Sequence, residues 1–405
     1  MAIGKAVPFR IEVPDAVIAD LKERLARTRF PDEVPDTGWE YGANLAYVKE
    51  LVEYWRTKYD WRANEREINR FAHFKADIDG LGIHFIHETG KGPNPKPLLL
   101  IHGWPGSIYE FMKIIPMLTD PAAHGGDAKD SFTVIAPSLP GYGFSDHARA
   151  RAMNIQAMAD IFHKLMTQVL GYNRYAVQGG DWGAAITSRI GEVHAASVYG
   201  IHLNMIAVGP AEGRNAPELT PEEKVFLADL EKFRTHETGY QWIQGTKPQT
   251  LAYGLNDSPA GLCAWIVEKF RTWSDCHGEL EKSFTRDELL TNVMIYWITQ
   301  SINSSTRLYY EARHHPWRLK PGTRIEAPTA FALFPAELVR PPRHWAERAY
   351  NIQRWTVMPK VYIVRSLAAQ AGKFSRLRVE RPPWGRCRAT ASRSAVLRRI
   401  FRATR

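Results

Sequence analysis

Residues 175–184 read Tyr-Ala-Val-Gln-Gly-Gly-Asp-Trp-Gly-Ala, a short apolar run that leads directly into a glycine-rich turn. A helical pattern follows and continues to Ile190. Small residues on both sides of Asp181 allow a very tight strand-to-helix turn, which holds the aspartate side chain out above a sheet. The alternative interpretation is a glycine-rich turn that carries a surface aspartate.

The rest of the core alternates strands with helices. Short apolar runs that end in turns are typical of buried parallel strands, and helical stretches such as 155–170 lie between them. This alternation predicts a parallel sheet covered on both faces, so we expect an α/β-hydrolase fold with a mostly parallel central sheet. The predicted strands are 98–101, 132–136, 175–177, 328–334 and 352–357.

Two further regions flank this core. The chain opens with an amphipathic helix, and the aromatic segment 37–90 shows no sheet pattern, so we expect a wrapping N-terminal region. The sequence Thr220-Pro221-Glu222-Glu223 supplies an N-cap, an N1 proline and a capping-box acid, which predict the start of a helical lid. The expected units are the N-terminal region 1–92, the first core part 93–208, the lid 209–321, the second core part 322–360 and a tail 361–405.

The positive charge of the chain is concentrated in the tail. Residues 361–405 hold 11 arginines and one lysine against the single acid Glu380, whereas residues 1–360 hold 41 basic and 42 acidic residues. A neutral body argues against nucleic acid as a partner. The apolar runs are too short to span a membrane, and no apolar segment of the kind found in a secretory signal follows Lys5. The three cysteines are scattered along the chain, which fits a reducing compartment. We therefore expect a cytoplasmic protein.

Asp181 stands where serine is usual in a nucleophile elbow. A carboxylate attacks saturated carbon and forms an ester, which points to the opening of epoxides or the displacement of halide. The motif His102-Gly103-Trp104-Pro105-Gly106-Ser107 follows the strand 98–101, where an α/β-hydrolase builds half of its oxyanion hole. The backbone N–H groups of Trp104 and Trp182 are the candidates for this hole, and His102 itself is interpreted as structural.

Together with the elbow, several motifs make the chain resemble the microsomal-type epoxide hydrolases over residues 7–360. They are the motif 102–107, the turn 138–145, the start Pro8-Phe9-Arg10-Ile11 and the lid segments 246–250, 256–262 and 291–293. The resemblance implies two lid tyrosines that protonate the epoxide oxygen, and Tyr240 and Tyr309 match them, with Tyr310 as the rival of Tyr309. It also implies that Glu337 is the acid that orients a general-base histidine.

The resemblance fails at the general-base histidine. In the family it lies in a Gly-Gly-His-like turn after the last strand, but here the chain continues from Lys360 with Val-Tyr-Ile-Val-Arg, and none of the 14 histidines lies beyond His344. A change of reading frame near codon 361 is our hypothesis, and a basic tail that binds nucleic acid or an anionic surface is the alternative. His344 and the pair His314-His315 are poor substitutes, since a base must reach the ester with little error in position.

The sequence therefore predicts an epoxide hydrolase that acts on a small apolar epoxide and water, without a metal or organic cofactor and without its expected base. A homodimer is left open. The alternatives are an inactive homologue that retains the pocket for binding and a haloalkane dehalogenase-like enzyme, which would share the Asp181 elbow and release chloride.

Overall fold

The computed structural model describes residues 3–211, 217–320, 322–335 and 337–359. Nine strands of these residues form one sheet: β1 (Val7–Phe9), β2 (His73–Ile78), β3 (Leu81–Glu88), β4 (Lys96–Ile101), β5 (Phe132–Pro137), β6 (Tyr175–Gly179), β7 (Val198–Leu203), β8 (Ile325–Leu333) and β9 (Tyr350–Val357). Their order is β1-β2-β3-β5-β4-β6-β7-β8-β9. Strands β4 to β9 pair in parallel, and β1, β2 and β3 add an antiparallel edge beside β5. The expected α/β-hydrolase fold with a mostly parallel sheet is confirmed.

The helices fall into two groups. Those outside the segment between β7 and β8 are α1 (Asp15–Ala26), α2 (Leu45–Thr57), α3 (Trp61–Ile68), α4 (Ile115–Thr119), α5 (Ile155–Lys164), α6 (Trp182–Val193) and α13 (Arg343–Ala349). Between β7 and β8, the lid helices are α7 (Pro221–Glu237), α8 (Gly239–Thr246), α9 (Pro248–Asp257), α10 (Pro259–Thr272), α11 (Arg286–Ile298) and α12 (Ile302–His314). The predicted helix 155–170 is α5 followed by a π-helical turn at Leu165–Val169.

The central strands form the floor of the site. In β4, β5 and β6 the side chains are buried on both faces, which accounts for their continuous apolar sequence. Their carboxyl ends lie at one edge, where an open parallel sheet places its ligand crevice.

The expectation that segment 37–90 contains no sheet is wrong, because β2 and β3 lie within it. Buried histidines hide the apolar pattern there. His73 Nδ1 and His84 Nε2 are 2.9 Å apart, and His84 Nδ1 lies 3.0 Å from Ser138 Oγ. Since these hydrogen bonds satisfy the ring nitrogens, the polar side chains can occupy buried strand positions.

The lid is fastened to the core at the start of α7. Thr220 and Glu223 form the expected capping box, and Pro221 lies in the first turn. Glu223 Oε1 also accepts hydrogen bonds from His344 Nε2 at 2.7 Å and Trp345 Nε1 at 2.5 Å, both at the start of α13. His344 is therefore engaged in holding the lid.

The expected histidine turn after Lys360 and the basic tail 361–405 lie outside the described residues. Among the helices of the part that the structure describes, none is long and apolar enough to cross a bilayer.

Candidate active site

Asp181 lies in the turn between β6 and α6, with φ 50° and ψ −126°. This backbone conformation is unusual for a residue with a side chain, and such strain is concentrated at functional sites. The turn around Asp181 is so tight that positions 179 and 183 leave no room for a side chain. A Cβ atom on Gly179 would lie 2.1 Å from Gly183 O, and one on Gly183 would lie 2.1 Å from Ile101 O.

Two backbone N–H groups hold the Asp181 carboxylate. Trp104 N donates to Asp181 Oδ1 at 2.8 Å, and Trp182 N donates to the same carboxylate. Burial raises the pKa of Asp181 to about 6, although these two hydrogen bonds oppose the increase. Gly103 allows the close approach, since a Cβ atom there would lie 2.2 Å from Asp181 Oδ1. The same N–H pair can stabilise an oxyanion on this oxygen once the carboxylate has become an ester.

The loop that carries Trp104 is held from the sheet side by His102. Its Nδ1 donates to Gly103 O at 3.0 Å, and its Nε2 accepts from Leu139 N at 3.1 Å. Burial lowers the pKa of His102 to about 4, so the ring is neutral near pH 7. His102 thus links the loops after β4 and β5, in agreement with its structural interpretation.

The lid holds the same loop from above. Asn292 Nδ2 donates to Pro105 O at 2.8 Å, and Tyr296 OH donates to Gly106 O at 2.7 Å, both from α11. Asn292 Oδ1 accepts from Ser107 Oγ at 2.8 Å. Lid and core therefore define the position of the Trp104 N–H together.

Five aromatic side chains, which we call the aromatic cluster, cover the elbow: Trp104, Trp182, Tyr240, Trp273 and Tyr309. Tyr240 stacks on Trp104 with ring centroids 5.3 Å apart, and Tyr309 meets Trp182 edge-on at 4.8 Å. The two tyrosine rings are 5.7 Å apart. Burial raises the pKa of both phenols, and the nearby charge of Asp181 adds to the increase. Both phenols are therefore protonated near pH 7 and able to donate hydrogen bonds.

The structure brings Tyr309 to this cluster and leaves Tyr310 outside it. Tyr309 is 7% exposed, whereas Tyr310 is 39% exposed. The Tyr310 ring stacks on His314 with centroids 4.0 Å apart on the outer side of α12. Of the two candidates for the second tyrosine, only Tyr309 contacts the residues around Asp181.

Glu337 follows β8 and is only 4% exposed. Its Oε1 accepts from Leu338 N at 2.9 Å, and the side chain of Asn204 is also within hydrogen-bonding reach of the carboxyl group. Burial raises the pKa of Glu337 to about 8, and the charge of Asp181 contributes to the increase. Near pH 7 the Glu337 side chain is therefore a neutral carboxylic acid close to Asp181.

Two polar residues of the site were not found from the sequence. Asn204, directly after β7, accepts from Gln178 Nε2 at 3.3 Å, and a Cβ atom on Gly180 would lie 2.7 Å from its Oδ1. The sequence signal that could have identified Asn204 is its position directly after a strand, since ligand sites of parallel sheets lie at the carboxyl ends of the strands. Glu110 hydrogen-bonds the backbone of the 102–107 loop, and burial followed by the charge of Asp181 raises the pKa of its carboxyl well above the ordinary value. No pattern in the sequence identifies Glu110 as a residue of the site.

The chain matches two family models. The epoxide hydrolase N terminus matches residues 6–111, and the alpha/beta hydrolase fold matches residues 96–257. A proposed epoxide hydrolase of Stigmatella aurantiaca is 46% identical over 344 residues, which cover 85% of this chain and 77% of that protein. Epoxide hydrolase 1 of Oryctolagus cuniculus is 40% identical over 389 residues, which cover 87% of this chain and 83% of that protein.

A solved structure agrees with these sequence matches. The juvenile hormone epoxide hydrolase of the silkworm Bombyx mori superimposes with a TM-score of 0.81 at 33% identity, covering 90% of this chain and 92% of that structure. These relatives favour neither a dehalogenase nor a binding protein. The chain therefore belongs to the epoxide hydrolase family and is an enzyme of the α/β-hydrolase fold.

Proposed function

We propose that this chain opens apolar epoxides with Asp181 as the nucleophile. The free oxygen of the carboxylate attacks an epoxide carbon, and the carbon–oxygen bond of the ring breaks. The bonding electron pair moves to the epoxide oxygen, which takes a proton from Tyr240 or Tyr309. The product is a hydroxyalkyl ester of Asp181.

In the second stage, water attacks the Asp181 carbonyl carbon and releases a vicinal diol. The oxyanion of this step is stabilised by the N–H groups of Trp104 and Trp182. A base must accept a proton from the attacking water, and in this mechanism Glu337 orients a histidine for that task.

One observation carries the proposal: the carboxylate of Asp181 accepts the Trp104 N–H at 2.8 Å beneath two buried, protonated tyrosines. The proposed nucleophile, oxyanion donors and acids thus lie close together. A strained ether needs both an attacking carboxylate and a proton donor, because its oxygen leaves poorly as an alkoxide. The aromatic cluster supports an apolar substrate, since its rings offer stacking surfaces and few charged partners.

For the chain as given, we propose that the first stage proceeds and the second is slow. All 14 histidines lie at or before His344, and His344 is bound to Glu223. The ester should then accumulate. The cytoplasmic location, the homodimer and the division into five units stay predictions.

Intact-mass analysis after incubation with styrene oxide tests the proposal, with diol formation followed in parallel. We expect one added epoxide mass on the protein, located on Asp181 by peptide mapping, and little diol. Asp181→Asn is the matched control and should gain no mass. The proposal fails if the wild-type chain gains no mass and forms no diol, and steady diol production would overturn only the part on the slow second stage.

A further inference from the structure

Lys269 is a buried lysine next to the proposed acid. It lies near the end of α10 and is 8% exposed. Its Nζ atom lies 5.1 Å from the ring centroid of Tyr240 and 5.5 Å from that of Trp273. Both distances are within the range in which an ammonium group is attracted by the π electrons of an aromatic ring.

Two carboxylates keep this ammonium group in place. Glu268 Oε2 lies 2.6 Å from Lys269 Nζ, and Glu237 Oε2 lies 3.9 Å from it. The Glu268 carboxylate is itself held by Thr272 Oγ1 at 2.9 Å. A buried lysine is costly unless it is paired, and these partners provide the pairing. The cation is therefore stably located beside the Tyr240 ring.

We propose that Lys269 is a positioning residue that promotes epoxide opening through Tyr240. This inference rests on the proposed function, in which Tyr240 donates a proton. When the proton moves from Tyr240 Oη to the epoxide oxygen, the phenol becomes a phenolate and negative charge spreads into its ring. The attraction between that ring and the Lys269 ammonium then increases. The phenolate regains its proton from water after the ring has opened.

The stabilisation is selective for the transition state. In the resting enzyme the cation faces a neutral ring, whereas in the transition state it faces a partly negative one. Removal of the charge should consequently slow ester formation and leave the binding of the epoxide almost unchanged. An interaction of this type in a desolvated site corresponds to a rate effect of about 5- to 30-fold.

The first experiment compares Lys269→Met, Lys269→Arg and Glu268→Gln by the single-turnover rate of ester formation over a range of epoxide concentrations. Lys269→Met keeps the length and loses the charge, so the maximal rate should fall about 5- to 30-fold at an unchanged half-saturating concentration. Lys269→Arg should restore most of the rate. Glu268→Gln removes the nearer of the two carboxylates that place the cation and leaves Glu237 as its partner, so its rate should fall by less than that of Lys269→Met.

A double-mutant cycle with Tyr240→Phe separates an effect through the hydroxyl from simple packing. The phenylalanine ring preserves the contact with Lys269 but has no proton to donate, and Tyr309 maintains a residual rate. In the Tyr240→Phe background, Lys269→Met should then have no further effect on the maximal rate. Thermal unfolding of each variant checks that it is folded.

The inference is overturned if Lys269→Met keeps the wild-type rate, or if it slows the reaction equally with Tyr and with Phe at position 240. It is also overturned if Glu268→Gln loses as much rate as Lys269→Met, since that pattern indicates an ion pair that only anchors α10. All of these outcomes presuppose that the wild-type chain gains the epoxide mass. If it does not, the proposed function itself fails.

Discussion

Two opposing effects set the pKa of the Asp181 carboxyl group. Burial disfavours its charge, and the N–H groups of Trp104 and Trp182 favour it, so that the pKa is raised only to about 6. The carboxylate is therefore mostly ionised near pH 7, although it sits beneath an aromatic cluster. A partly desolvated carboxylate is also a stronger nucleophile than one in water.

This balance predicts the pH dependence of ester formation. In the proposed mechanism only the ionised Asp181 carboxylate attacks, and burial raises its pKa to about 6. The rate should therefore rise with pH through about 6 and be about tenfold lower at pH 5 than at pH 7. Rapid-quench intact-mass measurements at a saturating epoxide concentration give the profile. A rate that is constant between these two pH values would contradict the assignment of Asp181.

The two adjacent tyrosines on α12 provide a matched pair for the acid. Tyr309 contacts Trp182 within the aromatic cluster, and Tyr310 stacks on the outer His314. Tyr309→Phe should lower the rate of ester formation by about 100-fold, because a positioned general acid contributes at least that much. Tyr310→Phe should react like the wild type. Equal losses in both variants would show that the effect arises from the packing of α12.

At the scale of single residues, the sequence located the site through motifs and not through contacts. Asp181 and the Trp104 loop are next to predicted strands, so their placement follows from local pattern. Lys269 could not be assigned in this way, since its partner Tyr240 lies on another helix and a lysine in a helix is most often a surface residue. Its burial is known only once α8 and α10 are packed together.

At the scale of elements, the elbow depends on how closely β4, β6 and α6 approach one another. The glycines of the turn have no room for a side chain, because the carbonyl groups of neighbouring strands and of α6 lie against them. This close packing explains why the turn can place Asp181 at the end of β6 and direct it towards the loop after β4.

Gly183→Ala and Gly254→Ala test this constraint with two helical glycines. A Cβ atom on Gly183 would lie 2.1 Å from Ile101 O, whereas one on Gly254 would meet nothing within 4 Å. Gly183→Ala should lower the free energy of unfolding by about 3 kcal/mol, since backbone must move. Gly254→Ala should raise it by about 0.5–1 kcal/mol through helix propensity. Urea unfolding measures both, and similar values for the two variants would contradict the packing argument.

Most core elements could be predicted, but their extent could not. The run 98–101 is the buried part of β4, which begins at Lys96, and the run 175–177 is the first part of β6, which continues to Gly179 and is buried throughout. Strand β7 and the antiparallel strands β1, β2 and β3 were not predicted. In β2 and β3, His84 bonds both His73 and Ser138, and contacts that form only in the folded chain leave no period in the sequence.

At the scale of the whole molecule, the second stage of the proposed reaction depends on a base that the chain does not supply at the expected place. Glu337 is buried, and its raised pKa keeps it neutral near pH 7. A histidine able to take up a positive charge would be a favourable partner for its carboxylate form. In the proposed mechanism, the absence of such a partner would slow the second stage without affecting the groups of the first stage.

Free imidazole should therefore accelerate the breakdown of the Asp181 ester. With the ester formed first and excess epoxide removed, we expect millimolar imidazole at pH 7 to raise the rate of diol release by about tenfold or more, a part of what a positioned base contributes. Glu337→Gln should reduce this gain, because an amide cannot orient an imidazolium as a carboxylate does. Identical rates with and without imidazole would argue against a missing base.

The fold class, the elbow with Asp181 and the absence of histidine after residue 344 follow from the sequence, because each is a local pattern or a simple count. The family resemblance adds Tyr240, Tyr309 and Glu337 as candidates. The choice between Tyr309 and Tyr310, and the place of Lys269 beside Tyr240, needed the folded chain. Burial and electrostatic coupling depend on which helices pack together, so residues far apart in the chain create them jointly.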